Sequence, residues 1–485
     1  MARLPDRFES LATRPDAARI RAWARANVVL LLALALFLPA AHAAVDPISL
    51  GLGPGTVAER ADGTTYVSIQ GFRVGEEGGD KKPTRLVAAT ENATVDWHFE
   101  GRSLGSFWFY DVDPLPNGDL LVSTTDSDRT RVLELDPATL DPVRTLELPI
   151  QDTHDVARLP DGRLLVANMR YNDGDVSNDR LFVYDREDDA VDWEWRFRDH
   201  YPNDTDGGFA DDWTHVNDVD VIDEEGRYVL ASPRNFDQAI VVDRETDEIL
   251  MRLGRDDDHA VLNEQHNPDY LEREDGTPVM LVADSENDRV VEYERDCGEA
   301  DPALGAGTPP AECSWDRVWT VTGFNWPRDA DRLPDGNTLV TDTLNHRVVE
   351  ITPAGEVVWE FHASWGPYDA ERGEQASNGP AMADLGVDGR VAVHGGDDQG
   401  PQARYTVADA IRELGAGTPV DGLTDELSRR YAHVEPWIRP VWMSSWAALS
   451  AVLGGLLGLG WAGHAIFTRR RRLYAAVSAR REDGP

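Results

Sequence analysis

The chain reads as an all-β, six-bladed β-propeller, and three observations predict it. One pattern recurs six times: an apolar run, a turn dipeptide ending in Gly, and a second apolar run. The units begin at Thr56, Asp111, Asp155, Asp218, Asp269 and Asp329. A spacing of about 40–60 residues suits one four-stranded blade per unit, and a blade that cannot bury both faces alone must stack on its neighbours. The turn dipeptides are Asp62-Gly63, Asn117-Gly118, Asp161-Gly162, Glu225-Gly226, Asp275-Gly276 and Asp335-Gly336, which are tight-hairpin signals. Finally, Trp97, Trp193, Trp195, Trp319 and Trp359 fall in fourth apolar runs, where a broad ring fills the gap between blades.

The repeat sets a register. From Asp111, a first strand leads to Asn117-Gly118, then LLVS, a polar loop, VLELD, a turn and VRTLEL. Strands in a blade alternate direction, so the Gly hairpins share one face of the ring. The loops leading into first strands, and those between second and third strands, share the other. The lead-in loops bring Tyr110, His154, His215, Asn217, His266, Asn267, Asn325 and Arg328 to that face. The second set brings Asn168, Arg170, Arg234, Asn235, Asp284, Asp342 and His346. Asp284 and Asp342, which end second strands, read as blade turns rather than metal ligands. A hard cation would want carboxylates in the lead-in loops. His, Asn and Arg there favour an anion instead.

The flanks are of another kind. Val28–Leu38 is apolar, follows Arg19, Arg21 and Arg25, and precedes Ala41-His42-Ala43. This predicts a secretory signal cut after Ala43, with an uncleaved anchor as the rival reading. Trp442–Phe467 carries no charged residue and is long enough to span a bilayer. Arg469–Arg472 follows at once, which places the C-terminus in the cytoplasm and the propeller outside the cell membrane. Gly454 and Gly458 form the GxxxG pattern of helix pairs, consistent with a homodimer. Residues 405–431 read as two short helices split by Gly-Ala-Gly, and 389–395 as one strand. The organisation expected is therefore 1–44 signal peptide or N-terminal anchor, 45–365 propeller, 366–440 flap and stalk, 441–468 transmembrane helix, and 469–485 cytoplasmic basic tail.

Composition narrows the partners. Lys and Arg number 47 against 88 Asp and Glu, and Lys81 and Lys82 are the only lysines. Such a surface suits high salt, where carboxylates keep their hydration and their repulsion is screened. No basic groove offers itself to nucleic acid. The two cysteines, Cys297 and Cys313, lie in one insertion of the fifth unit, and outside the cell they would form a disulfide. No Cys/His metal spacing occurs, and no cofactor is implied. Asn92-Ala93-Thr94 and Asn203-Asp204-Thr205 match the glycosylation sequon.

Four strings carry the functional reading: QDTHDVARLP with His154, DWTHVNDVD with His215 and Asn217, ASPRNFDQ with Arg234 and Asn235, and NEQHNPDY with His266. In this order, on this repeat, the chain resembles the PAPS-independent arylsulfotransferases, as a membrane-anchored, haloarchaeal-type member. The resemblance covers roughly residues 50–365. It implies ping-pong transfer of a sulfuryl group from an aryl sulfate to a phenol. His266 would be the nucleophile and pass through a sulfohistidine. His215, Asn217 and Arg234 would hold the sulfuryl oxygens, and His154 would serve the phenolic oxygen as acid and then base. Asn235 and Arg328 are further candidates for substrate binding. The chemistry suits the residues: Arg offers a planar fork to an oxyanion, and imidazole is a nucleophile near neutral pH. Two other classes compete, namely a non-catalytic propeller that binds a ligand or partner at this mouth, and a metal-dependent hydrolase or lactonase.

Overall fold

The computed structural model describes residues 17–45, 52–73, 80–126, 129–363, 365–373, 379–396, 406–440 and 442–482. They fall into two compact units, one spanning residues 50–404 and one formed by the two chain ends.

The larger unit is a propeller of six sheets, each built on four antiparallel strands. Its inner strands are Pro367–Arg372, Trp108–Pro114, Val156–Arg158, Val216–Val221, His266–Glu272 and Pro327–Arg332, for sheets one to six. The Gly of all six turn dipeptides has positive φ, between 67° and 99° (Gly63, Gly118, Gly162, Gly226, Gly276, Gly336). A side chain there would be strained, which is why the repeat keeps glycine. Trp195, Trp319 and Trp359 are fully buried. Each donates its indole N–H to a backbone carbonyl in the outer turn of the next blade: Asp247 at 3.0 Å, Pro353 at 3.1 Å and Glu91 at 3.2 Å. The core thus lies between sheets, as spokes, and the rings satisfy their one polar atom on the far side.

Ring closure differs from the sequence reading. The run at Thr56 was expected to be the inner strand of the first blade, with the propeller ending at 365. Instead Gly53–Val57 adds to the outer strand of the sixth sheet, Glu356–His362. Pro367–Arg372 supplies the inner strand of the first, pairing with Thr65–Ile69. The cause is visible in the letters: PYDAER at 367–372 repeats PRDADR at 327–332, whereas TVAER has no such counterpart. Both ends of the ring are therefore stitched by strands distant in sequence. The strand expected within 389–395 forms as Gly389–Ala392, parallel to Ser314–Thr322 on the fifth sheet, while His394–Gly395 lies on the sixth. Residues 366–396 consequently cluster with the propeller.

Cys297 and Cys313 are joined in a disulfide across the insertion after Arg289–Asp296. Closing a loop of 16 residues' separation should contribute about 3 kcal/mol by the chain-entropy argument.

The second unit is helical. It contains α1 (Ala17–Leu36), α2 (Leu38–Val45), α3 (Val407–Gly415), α4 (Asp421–Ile438) and α5 (Ser445–Glu482). Thr406 and Asp409 form a capping box that starts α3, and α3 and α4 are the two short helices expected around Gly415-Ala416-Gly417. Asn27–Val45 and Ser445–Arg471 are each long and apolar enough to cross a bilayer.

Candidate functional site

The inner strands share one geometric device. In five of the six sheets the ladder slips at the start of the inner strand, between Phe109 and Asp111, Val216 and Val219, His266 and Asp269, Pro327 and Asp329, and Pro367 and Asp369. Such a bulge re-aims the extra residue. At this level each blade offers an Asp at the same place in the repeat: Asp111, Asp155, Asp218, Asp269, Asp329 and Asp369. The residue before each Asp is Tyr110, His154, Asn217, Pro268, Arg328 or Tyr368, and three before come His215 and His266. Several backbones here are left-handed without glycine: Asp152, His215, Glu264, Asn267 and Trp326 have φ from 34° to 56°. Strain of this kind clusters where side chains are held for function.

The three histidines come together. The His154 and His215 rings are 4.9 Å apart. Tyr368 lies between, 5.4 Å from His154 and 5.9 Å from His266, with its hydroxyl 2.7 Å from His154 Nδ1. Tyr110 stacks on His154 at 3.9 Å, and its hydroxyl donates to Asp152. Arg328 lies 4.5 Å over both Tyr368 and Trp326 and donates to Gln70. His154, His215, His266, Asn217 and Arg328 are all buried.

Hydrogen bonds assign the tautomers of two rings. Ser285 Oγ donates to the Pro327 carbonyl at 2.7 Å, so it accepts from His266 Nδ1–H at 2.8 Å. His266 Nε2 then carries the lone pair. His215 Nδ1–H donates to Asp212 at 2.7 Å, again leaving Nε2 bare. Burial pushes the pKa of His266 well down, helped by Arg328 and Arg234. Burial also lowers His154, followed by its two histidine neighbours. His215 falls to about 4, by burial and then by Arg234, against the pull of Asp212. All three are neutral near neutral pH.

Arg234 begins a short 3-10 turn, Arg234–Phe236. Asn235 Oδ1 accepts from its Nε and Nη2, at 3.1 and 2.9 Å, while Asn235 Nδ2 donates to the Asp212 carbonyl at 2.6 Å. Asn235 thus uses its amide to hold Arg234 in place. Asn217 Nδ2 donates to the Gln265 carbonyl at 2.9 Å, tying the two histidine loops together, and its Oδ1 has no partner among the described residues. Arg170 sits at the rim, paired with Asp152 at 2.5 Å and Asp212 at 3.1 Å, the carboxylates that hold Tyr110 and His215. His346 lies elsewhere, against Trp365. Asp284 and Asp342 pair with Arg289 and Arg347 as turn residues. Among the described residues, no group of three His, Cys, Asp or Glu is placed to hold a metal ion.

Sequence reasoning missed Tyr368, Ser285, Asp152 and Asp212. The repeated PRDADR and PYDAER would have revealed Tyr368, which stands where Arg328 stands one blade earlier.

Beneath the site the six aspartates form a buried ring. Asp155, Asp329 and Asp369 accept the N–H of Val219, Ala370 and Val112 from the next blade, at 2.7, 3.1 and 2.9 Å. Asp113, Asp220, Asp331 and Glu371 follow two residues further along their strands. Burial first, then neighbouring carboxylates, raises the pKa of Asp111, Asp113, Asp218, Asp331, Asp369 and Glu371 well above the usual range, and that of Asp220 to about 8. A carboxyl raised on folding binds its proton more tightly in the native state, so its stabilisation is present at low pH and lost as pH rises through the folded value. We expect the propeller's melting temperature to fall between about pH 5 and about pH 8 at constant salt. Asp220→Asn should make that slope shallower, and an unchanged slope would refute the assignment.

No curated protein sequence matches the chain. Several solved structures match the chain at low identity. A protein of unknown function from Bacteroides caccae is 12% identical over 64% of this chain and 97% of its own, with a TM-score of 0.42. A putative 6-phosphogluconolactonase from Bacteroides fragilis is 12% identical over 64% and 97%, at 0.39. A catalytically inactive virginiamycin B lyase from Staphylococcus aureus with quinupristin is 8% identical over 64% and 88%, at 0.37. Likenesses this remote carry no functional argument. Residues 102–293, which hold His154, His215, Asn217, Arg234 and His266, match the family model described as Arylsulfotransferase (ASST), and that match supports the arylsulfotransferase family for this propeller.

Proposed function

We propose that the propeller transfers a sulfuryl group from an aryl sulfate to a phenol in two steps, through a sulfohistidine at His266. The observation that carries this reading is the Nδ1–H of His266 tied to Ser285, which leaves the ring's lone pair on Nε2. In the first half-reaction Nε2 attacks sulfur as the bond from sulfur to the aryl oxygen breaks, and the electron pair leaves on that oxygen. In the second, the acceptor's oxygen attacks sulfur and the bond to Nε2 breaks. Arg234, Arg328 and the second hydrogen of Asn217 Nδ2 are the donors for the three sulfuryl oxygens, and charge growing there in a buried site is strongly stabilised.

His154 handles the proton. As base it takes the acceptor's phenolic proton and becomes imidazolium. It releases that proton as the product anion leaves, takes one up again with the next aryl sulfate, and as acid gives it to the leaving phenolate, so the cycle balances. Its lowered pKa means that it holds the proton only while an anion shares the pocket. Tyr368, bonded to Nδ1, positions the ring, and the faces of Tyr110, Tyr368 and Trp326 suit a flat aryl group.

The two halves can be separated. Wild type mixed with an aryl sulfate alone should gain the mass of one sulfuryl group and lose it when a phenol is added. The uptake rate should fall in acid as protonation of His266 removes the lone pair on its Nε2, and the fall should lie below the ordinary imidazole range because burial lowers that pKa. Absence of any adduct with chromogenic aryl sulfates, at low and at high salt, would favour the ligand-binding reading instead.

A further inference from the structure

We propose that the N-terminal helix stays on the mature protein and pairs with the C-terminal helix, so that the propeller hangs outside the cell from a two-helix anchor. The first ground is contact. A Cβ placed on Gly454 of α5 would lie 2.9 Å from the Ala33 carbonyl oxygen, and 3.1 Å from Leu36 Cβ and Phe37 Cε2. Only glycine permits that approach of two helices, and close backbone contact at small residues is how helices associate in lipid, where apolar side chains gain nothing by leaving the solvent. Both α1 and α2 run along α5.

The second ground is the pattern of exposure. Ala33, Ala40 and Ala43 are buried on one side of the N-terminal segment, and Ala447 on α5. Leu31, Leu32, Leu34 and Leu38 are 55–65% exposed. Small residues face the partner helix and leucines face outward, the arrangement expected of lipid-facing spans. Nineteen residues, Asn27–Val45, rise about 28 Å as a helix, close to the hydrocarbon thickness.

The third ground concerns cleavage. Ala41-His42-Ala43 lies within α2, and Ala43 is 5% exposed. Proteases need an accessible, locally unfolded backbone, and this one is hydrogen-bonded and packed.

Charge supplies the topology. Arg19, Arg21 and Arg25 precede the first span and Arg469–Arg472 follow the second. The positive-inside rule puts both clusters in the cytoplasm, so the helices run antiparallel and everything between them is external. The GxxxG motif changes meaning accordingly. Gly454 is occupied by the chain's own first helix, whereas a Cβ on Gly458 would meet nothing within 4 Å.

The test starts with the N-terminus of the full chain purified from membranes, by sequencing and intact mass. It should begin at Met1 or Ala2; a chain beginning just after Ala43 overturns the proposal. Ala40→Cys with Ala447→Cys, small buried positions on the two helices that leave Gly454 untouched, should then crosslink in oxidised membranes. After proteolysis of the outer domain, the two terminal fragments should stay joined until reduced. Ala33→Cys with Gly460→Cys, on another face of α5, should not crosslink. A retained helix that fails to crosslink at Ala447, or crosslinks equally at Gly460, refutes the pairing.

Discussion

His266→Ala should yield a folded propeller that takes up no sulfuryl group and transfers none. Removing a nucleophile that acts with a set of partners costs on the order of 10⁴-fold or more in rate, because the remaining groups have nothing to act on. The cavity left is small and borders Ser285 and Trp326, so stability should change little. The check is paired: single-turnover uptake from an aryl sulfate, and a thermal melt beside wild type. Transfer at the wild-type rate by a variant with an unaltered melt would move the nucleophile elsewhere, with His215 Nε2 the next candidate. Arg234→Lys separates charge from geometry at the same site. It keeps a cation but loses the fork, and should cost about 2–4 kcal/mol of transition-state stabilisation.

The largest effect on stability is expected at Arg332. Its side chain and that of Glu292 are both fully buried and paired at 2.8 Å. Arg332 also donates to the Pro380 carbonyl at 3.0 Å, and Glu292 accepts the N–H of Met382 at 2.8 Å. One pair thus joins the fifth sheet, the sixth sheet and the segment that follows them, amid Trp319, Val340 and Met382. Arg332→Met removes the cation and strands a carboxylate in an apolar environment. The loss should be about 3–5 kcal/mol in denaturant titrations. Adding Glu292→Gln, which removes the stranded charge, should restore much of it. A double variant no better than the single one would show that the charge is not the cause.

Much of this was legible in the letters. The Gly hairpins and the Trp runs fix strand order because their signals are local: a positive φ, or a ring that must lie between sheets. His154 and Asn217 were legible because they stand one residue before a repeated inner-strand Asp, His215 and His266 because they stand three before one, and Arg234 because it follows a second strand. What escaped is non-local. Tyr368 enters through a strand some three hundred residues from the sheet it completes, so no window of sequence contains both. Ser285 and Asp212 matter only through the tautomers they impose, and those follow from side-chain distances. That Asn235 holds Arg234 and the Asp212 carbonyl could not be read from its string, because both bonds depend on how the loop folds. The bulges that turn Tyr110, Asn217, Arg328 and Tyr368 inward are properties of paired strands, and one strand's sequence does not announce them.

The strand that completes the first sheet also carries the hydroxyl that meets His154. Assembly and competence therefore coincide in time. During synthesis sheets two to six can form while the ring stands open, but residue 372 must appear before the first sheet is complete and the ring can shut. At roughly 5–20 residues per second that wait is on the order of a minute or less. Until then His154 lacks its tyrosine and Arg328 lacks one of its two aromatic faces. A chain that stops short of residue 372 therefore lacks the closed ring and the bond from Tyr368 to His154 together.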